Sequence, residues 1–209
     1  TKTIANGRVI EKGGVAFSEV YGPVSEVMKK QLGLDGSEFF ACGVSIVLHP
    51  SHPFVPIIHM NVRYFELNDG TYWFGGGIDL TPHYINAEDA REFHLGLKEI
   101  CDKYSEDFYS EFKKGADDYF FIPHRNETRG VGGIFFDHQK ETESITKTDL
   151  FGFCIDLGEA FPVLYRQQVE KNILKDFNDS HIDWRNHRRG RYVEFNLVND
   201  RGTKFGLFS

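Results

Sequence analysis

The sequence predicts an α+β fold: a single domain, 1–209, built on a large, mainly antiparallel sheet of about seven strands and flanked by helices. Three observations carry this. Short runs rich in β-branched and aromatic residues recur, joined by turn chemistry at hairpin spacing. Two or three helical patterns are segregated along the chain and do not alternate with strands, which argues against a parallel βαβ sheet. No internal repeat, low-complexity tract or Pro/Ser-rich linker divides the chain.

In chain order, Cys42–Leu48 reads as a strand ending at His49-Pro50, and Ile57–Leu67 as another. Its period of two puts His59, Asn61, Arg63 and Phe65 on one side, and Met60, Val62 and Tyr64 on the other. Tyr72–Phe74 opens a further strand that continues through Gly75-Gly76-Gly77 to Ile78-Asp79-Leu80. Consecutive glycines in a strand mark a bulge or the close approach of something bulky. Asn86, with Glu88 and Asp89, is a helix start. Ala90, His94, Leu97, Cys101, Tyr104 and Phe108 then recur at helical spacing, predicting one long amphipathic helix. Tyr119–Pro123 and Ile134–Asp137 read as paired strands around the loop His124–Gly130. Thr148 with Asp149 opens a second helical region, and a further helix is predicted from Pro162 to Leu174. Gly190–Val198 and Thr203–Phe208 read as two strands around the turn Asn199-Asp200-Arg201-Gly202.

Composition narrows the function. With 40% hydrophobic and 26% charged residues the chain is neither disordered nor collagen-like. Its longest nearly apolar run, Phe39–Leu48, is half of what a membrane helix needs, so no transmembrane segment is expected. The net charge of -7 opposes general binding of nucleic acid or anionic membranes. Arg185, Arg188, Arg189, Arg191 and Arg201 nevertheless crowd one stretch, which reads more readily as a solvated charge run than as an anion site. Cys42, Cys101 and Cys154 form no CxxC pair and read as reduced core residues of an intracellular protein. Thr1–Gly14 has neither secretory nor transit-peptide character, and a chain opening on Thr1 is expected to be processed or trimmed.

No nucleophile elbow, P-loop or HExxH motif is present, and the three glycines are not a dinucleotide fingerprint. What remains is a polar set spread over several segments. His59 with Arg63 on one strand face is either a functional pair or a histidine bonded to a carbonyl beside a surface arginine. His124-Arg125 with Glu127 and Arg129 reads first as a structural salt-bridge network. Asp79 after the glycines is open between the two kinds of role. Asp200 by itself is a turn residue, and His94 a core histidine. His49, His52, His59, His94 and His124 invite a metal, but only His49 and His52 are close in sequence.

Longer strings carry a resemblance. Ser18–Gly22, Gly43-Val44-Ser45 through His49-Pro50, His59-Met60-Asn61-Val62-Arg63 and Trp73–Pro82 are similar to the oxygen-dependent coproporphyrinogen III oxidase family. So are Tyr119-Phe120 through His124–Asp137, and Tyr192–Val198 through Asp200–Leu207. The resemblance implies a homodimer with a large antiparallel sheet flanked by helices. It implies oxidative decarboxylation of two propionates of coproporphyrinogen III to vinyl groups, giving protoporphyrinogen IX in haem biosynthesis. Molecular oxygen is then the co-substrate, no organic cofactor is expected, and a divalent metal belongs to some bacterial members only. It places the proton-donor histidine at His59, substrate contacts at Ser45, Asn61, Val62 and Arg63, and substrate handling at Asp79, Arg129, Asp200 and Arg201. The bacterial metal positions fall at His49, His59, His94 and His124.

The chain departs from the family's pattern at Gly115-Ala116, where Trp-Cys is usual, and at His138, where an acidic residue is usual. The family also continues past this end with a Gly-Gly-Arg segment, so flexible terminal segments are expected to be missing.

A flexible apolar macrocycle with four carboxylates requires aromatic walls, fixed cations and an acceptor for pyrrole N–H groups. The 20 Phe and 9 Tyr, Arg63, Arg129 and Arg201, and Asp200 or in second place Asp79, meet those needs. Two other classes compete: a non-catalytic carrier of tetrapyrroles or other anionic ligands, and a His-ligated metal oxygenase. A cytoplasmic location is expected, or the mitochondrial intermembrane space if a targeting segment has been removed.

Overall fold

The computed structural model describes residues 1–203 save 27, 30–32, 34 and 35. The strands are β1 (Lys2–Ala5), β2 (Ile10–Pro23), β3 (Glu38–Pro50), β4 (Ile57–Leu67), β5 (Tyr72–Thr81), β6 (Phe121–Ile122), β7 (Glu127–Thr128) and β8 (Gly133–Gln139). The helices are α1 (Ala87–Cys101), α2 (Phe108–Tyr119), α3 (Lys147–Asn172) and α4 (Asp179–Val198). Among the described residues six strands form one antiparallel sheet in the order β1-β2-β3-β4-β5-β8, and β6-β7 is a separate ribbon. The α+β class and antiparallel sheet agree with the sequence reading.

The alternation along β4 decides which face is the core. Ile58 and Met60, with Ile78 and Leu80 of β5 and Ile134 and Phe136 of β8, pack against Phe93, Leu97, Phe112, Phe153 and Leu157 of α1, α2 and α3. Each large apolar side chain buried this way stabilises the fold by roughly 1.5–3 kcal/mol. The opposite face, bearing His59, Asn61 and Arg63, is overlaid only in part. There α4 sets Tyr192 edge-on to His49, with ring centroids 5.3 Å apart, and buries Phe195 against Phe120 and Ile122.

Several element boundaries differ from the sequence reading. The edge strand β1 and its neighbour β2 went unread, although Asn6-Gly7 is a hairpin signal and Asn6 adopts φ 55°. The long helix divides: α1 ends at Cys101, Ser105 accepts the Asp107 amide within the connecting turns, and α2 starts at Phe108. Tyr104 and Phe108 keep the stripe because both still face the same core. The two later helices are one. Thr146, not Thr148, caps α3 in a capping box with Asp149, and the helix runs through Pro162. Burial of Phe153, Leu157, Phe161, Leu164 and Tyr165 on both sides outweighs the proline penalty of about 3 kcal/mol.

The Tyr119–Pro123 segment pairs with β7 only at Phe121-Ile122, while β8 joins β5 instead. Gly190–Val198 is helix, not strand: Tyr192 and Phe195, three apart, are its buried positions, and Asn178 with His181 closes a capping box at its start. Asn199 is the C-cap of α4, Thr203 closes a helical turn at 201–203, and the remainder of the second expected strand, 204–208, lies outside the described residues.

Candidate active site

Register assembles the site. Directly opposed residues of antiparallel strands share a face. One rung on the face away from α1–α3 is therefore Gly14, Val47, His59, Asp79 and Gly133. The next is Ala16, Ser45, Asn61, Gly77 and Phe135, and a third is Ser18, Gly43, Arg63 and Gly75. Rungs lie roughly 6.5–7 Å apart. The floor is thus mostly small residues, from which His59, Asn61, Arg63 and Phe135 project. Phe65 stacked on Trp73 at 4.2 Å bounds one end, and Tyr192 beside His49 the other. Tyr119, stacked on Phe135 at 4.2 Å, stands along the β8 side.

A polar chain crosses this face. Asp79 Oδ1 lies 2.9 Å from His59 Nδ1 and accepts from Arg129 Nη2 at 2.6 Å. Arg129 Nη1 donates to Asn196 Oδ1 at 2.9 Å, and its guanidinium lies between the rings of Phe120, Tyr192 and Phe195. Burial by itself pushes the Asp79 carboxyl up, but the Arg129 guanidinium and the His59 hydrogen bond prevail and hold it below the usual carboxylate range. An ionised carboxylate only accepts, so His59 Nδ1 carries the hydrogen and Nε2 is left free. His59 is 29% exposed at its side chain, which keeps that nitrogen reachable.

Asp200 follows α4 and reaches the same face. Its Oδ1 accepts from Tyr119 Oη at 2.7 Å and its Oδ2 from the Thr203 amide at 2.6 Å. Burial pushes its carboxyl up, and these bonds with the Arg129 charge bring it below the usual range. Arg201 lies over the Tyr119 ring at 5.7 Å. Ser45 and Asn61 face each other on the floor. Val62 turns its side chain to the opposite face, as the strand period predicts, and packs against the helical core, so only its backbone faces Ser45 and Asn61.

The four histidines expected at metal positions do not come together. His94 sits on α1, across the sheet from His59, donating from Nε2 to the Val131 carbonyl at 2.9 Å and accepting from Tyr109 Oη at Nδ1. His124 is exposed and bonds Glu194. Among the described residues no three His, Cys, Asp or Glu side chains converge on a point that would hold a metal ion. The expected set therefore does not fit a shared centre: the sheet and the two engaged nitrogens of His94 keep its members apart.

The loop before β8 divides between roles. His124 and Arg125 both bind Glu194, whose carboxyl falls to about 2 through those hydrogen bonds. Glu127 binds Arg188 and Arg191 at 3.3 and 2.9 Å, and Arg189 binds Glu11 at 2.7 Å. The arginine run expected to be solvated thus ties α4 to the ribbon and to β2. Of the loop, only Arg129 bonds to Asp79 on this face. Three polar contributors escaped the sequence reading: Tyr119, Asn196 and Asp137. Asp137 pairs with Arg63 at 2.9 Å.

One buried histidine, His83, and one half-buried, His49, set an acid limit. Burial, then the Arg189 charge, lowers His49 to about 4, and burial lowers His83 to about 4. Unfolded histidine titrates near 6.5. The unfolded chain therefore binds protons that the native one refuses, and stability is complete above about pH 6.5 and falls as pH drops toward 4. The loss is on the order of 3 kcal/mol for His83, and smaller for the less buried His49. Urea unfolding at pH 7.5 and 4.5 should show it, and His83→Gln should flatten the difference. A midpoint independent of pH in that range contradicts the assignment.

A model of the family described as coproporphyrinogen III oxidase matches residues 1–209. The chain is 46% identical over 222 residues to the mitochondrial oxygen-dependent coproporphyrinogen-III oxidase of Rattus norvegicus, covering 100% of this chain and 49% of the relative. It is 48% identical over 219 residues to the Homo sapiens mitochondrial enzyme of that name, covering 99% and 48%. With the oxygen-dependent coproporphyrinogen-III oxidase of Prochlorococcus marinus (strain MIT 9312) it shares 42% over 231 residues, covering 99% and 67%. The chain spans about half the length of the mammalian relatives it matches. With the family match running from end to end and the identity well above the level at which folds diverge, the chain belongs to the coproporphyrinogen III oxidase family.

Proposed function

We propose that the protein containing this chain catalyses the oxygen-dependent oxidative decarboxylation of two propionates of coproporphyrinogen III to vinyl groups, yielding protoporphyrinogen IX in haem biosynthesis. The observation that carries this is the His59–Asp79–Arg129 chain set beside Arg63 on an open, small-residue sheet face with aromatic ends. Each turnover takes one protonated propionate and one O2 to a vinyl group, CO2 and H2O2. Two electrons leave the side chain and reduce the oxygen.

Arg63 holds the reacting propionate through its guanidinium fork. Asp200, held by Tyr119 and the Thr203 amide, accepts from the pyrrole N–H groups and orients the macrocycle. Asp79 is 3% exposed and its Oδ1 is held by both His59 and Arg129, which favours for it the orienting of His59 over direct contact with the ring. Deprotonation at nitrogen makes the electron-rich pyrrole reactive toward O2, and the resulting hydroperoxide takes hydrogen from the side chain as CO2 leaves. His59 Nε2 exchanges protons. Ser45 and Asn61 contribute hydrogen bonds from the floor, Val62 only its backbone, and Arg201 a second carboxylate contact. No organic cofactor enters this scheme.

The test uses the full-length protein. Adding it to anaerobically prepared coproporphyrinogen III and then admitting oxygen should release CO2 and vinyl product. Binding without product would make it a carrier and overturn the proposal. Loss of activity on complete metal removal would favour a metal oxygenase.

A homodimer fits the same reading. Val15, Phe17, Tyr21 and Phe40 lie on the helix-bearing face of the sheet beyond the helices, and Phe17 is 62% exposed. Phe17→Glu should shift the full-length protein to the monomer mass in light scattering; an unchanged dimer would place the interface elsewhere. The mammalian relatives are named as mitochondrial. Three free cysteines suit a reducing compartment, which favours the cytoplasm for this protein.

A further inference from the structure

Asp137 and His138 stand apart from the roles assigned so far, and their geometry is unusual. His138 adopts φ 53°, a left-handed conformation that is unfavourable for a non-glycine residue. Its ring stacks on Trp73 at 4.9 Å and 19°, which holds it there. Its amide donates to Asp137 Oδ1 at 3.0 Å. The register between β5 and β8 slips between Phe74 and Gly76, at the same point. Bulges of this kind re-aim a side chain. Here the re-aimed chain is His138, brought onto Trp73 beside Asp137. Asp137 itself keeps the site face by alternation from Phe135: its Oδ1 lies 2.9 Å from Arg63 Nη2, while Arg63 Nη1 donates to Asn61 Oδ1 at 3.1 Å.

Gly75 makes room for the pair. A Cβ at that position would stand 2.7 Å from Asp137 Oδ1 and 2.9 Å from both Arg63 Nε and Nη2. The pair is open to solvent, with side-chain exposures of 38% for Arg63 and 30% for Asp137. It therefore resembles a held reagent more than a structural bridge, since exposed ion pairs add little stability.

We propose that Asp137 is a positioning residue: it aligns the Arg63 guanidinium on the sheet face and gives up that ion pair to a carboxylate of the incoming ligand. This rests on the function proposed above, which makes the ligand a tetracarboxylate. The Asn61 bond holds the guanidinium plane while the carboxylates exchange. Asp137 competes with the ligand and at the same time fixes the orientation the reaction needs. Binding and turnover should consequently move in opposite directions when it is removed.

The experiment measures two quantities on the full-length wild type and Asp137→Asn. These are the affinity for coproporphyrin III, the stable oxidised tetracarboxylate, and kcat with KM on coproporphyrinogen III. Coproporphyrin III should bind about threefold more tightly to the variant, the size of one partly exposed ion pair. KM should fall with it, and kcat should drop about tenfold through loss of alignment. Gly75→Ala, which pushes the two groups apart, should give the same split and serves as the second variant if Asp137→Asn fails to fold. Unchanged affinity and kcat, or weaker binding with unchanged kcat, overturns the inference. A wild type that binds coproporphyrin III but never turns over coproporphyrinogen overturns the proposed function instead, and the affinity comparison still decides the role of Asp137.

Discussion

Arg129→Leu should destabilise the protein by about 3–5 kcal/mol, the usual cost of removing one partner of a buried ion pair. Arg129 and Asp79 are 4% and 3% exposed, and the substitution strands the Asp79 carboxylate with His59 as its remaining partner. It also leaves Asn196 Oδ1 without its donor and withdraws a cation from three aromatic rings. The measurement is urea unfolding at pH 7.5. Arg129→Lys keeps the charge but not the fork that reaches Asp79 and Asn196 together, and should fall between the two. Adding Asp79→Asn to Arg129→Leu should recover part of the loss, because the uncompensated buried charge is then gone. A stability change within about 0.5 kcal/mol, typical of surface substitutions, would show that the pair is not closed off from water.

His59→Phe should reduce kcat by about 10²- to 10⁴-fold, the range for a positioned acid–base group. The fold should survive, since the ring is partly exposed on a face that already carries Phe65 and Phe135. Affinity for coproporphyrin III should hold within a few-fold, placing the defect in the reaction and not in binding. Asp79→Asn offers an internal comparison: it replaces a carboxylate that can only accept with an amide that can also donate to Nδ1, so the Nδ1–H tautomer is no longer enforced while the imidazole stays in place. In the same oxygen-admission assay Asp200→Ala tests the pyrrole acceptor. Normal turnover by His59→Phe, or by Asp200→Ala, removes the corresponding role.

The parts of the fold legible in the sequence are those where local chemistry and burial agree. β4 has the bounds that its alternation predicts, and Asn86 caps α1 through bonds to the Glu88 and Asp89 amides. The errors fall where they disagree. Tyr192–Val198 alternates well enough to mimic a strand, yet α4 buries Tyr192 and Phe195 at helical spacing. Pro162 signals a break, and core packing overrides it. β1 and β2, at one margin of the sheet, are largely exposed and carry little apolar periodicity to read.

The site divides in the same way. By itself the sequence determined the His59–Asn61–Arg63 row, because strand period is a local property, and the family, because long colinear strings carry it. Tertiary structure alone decided which distant residues join the row. Arg129 reaches Asp79 across a loop, Asp200 is held by Tyr119 from another helix, and His94 is removed to the far side of the sheet. The physical reason is that spacing along a chain fixes the side from which a group projects. Which groups meet is set by register between strands and by helices docking on a face, and those are settled by the burial of the whole core.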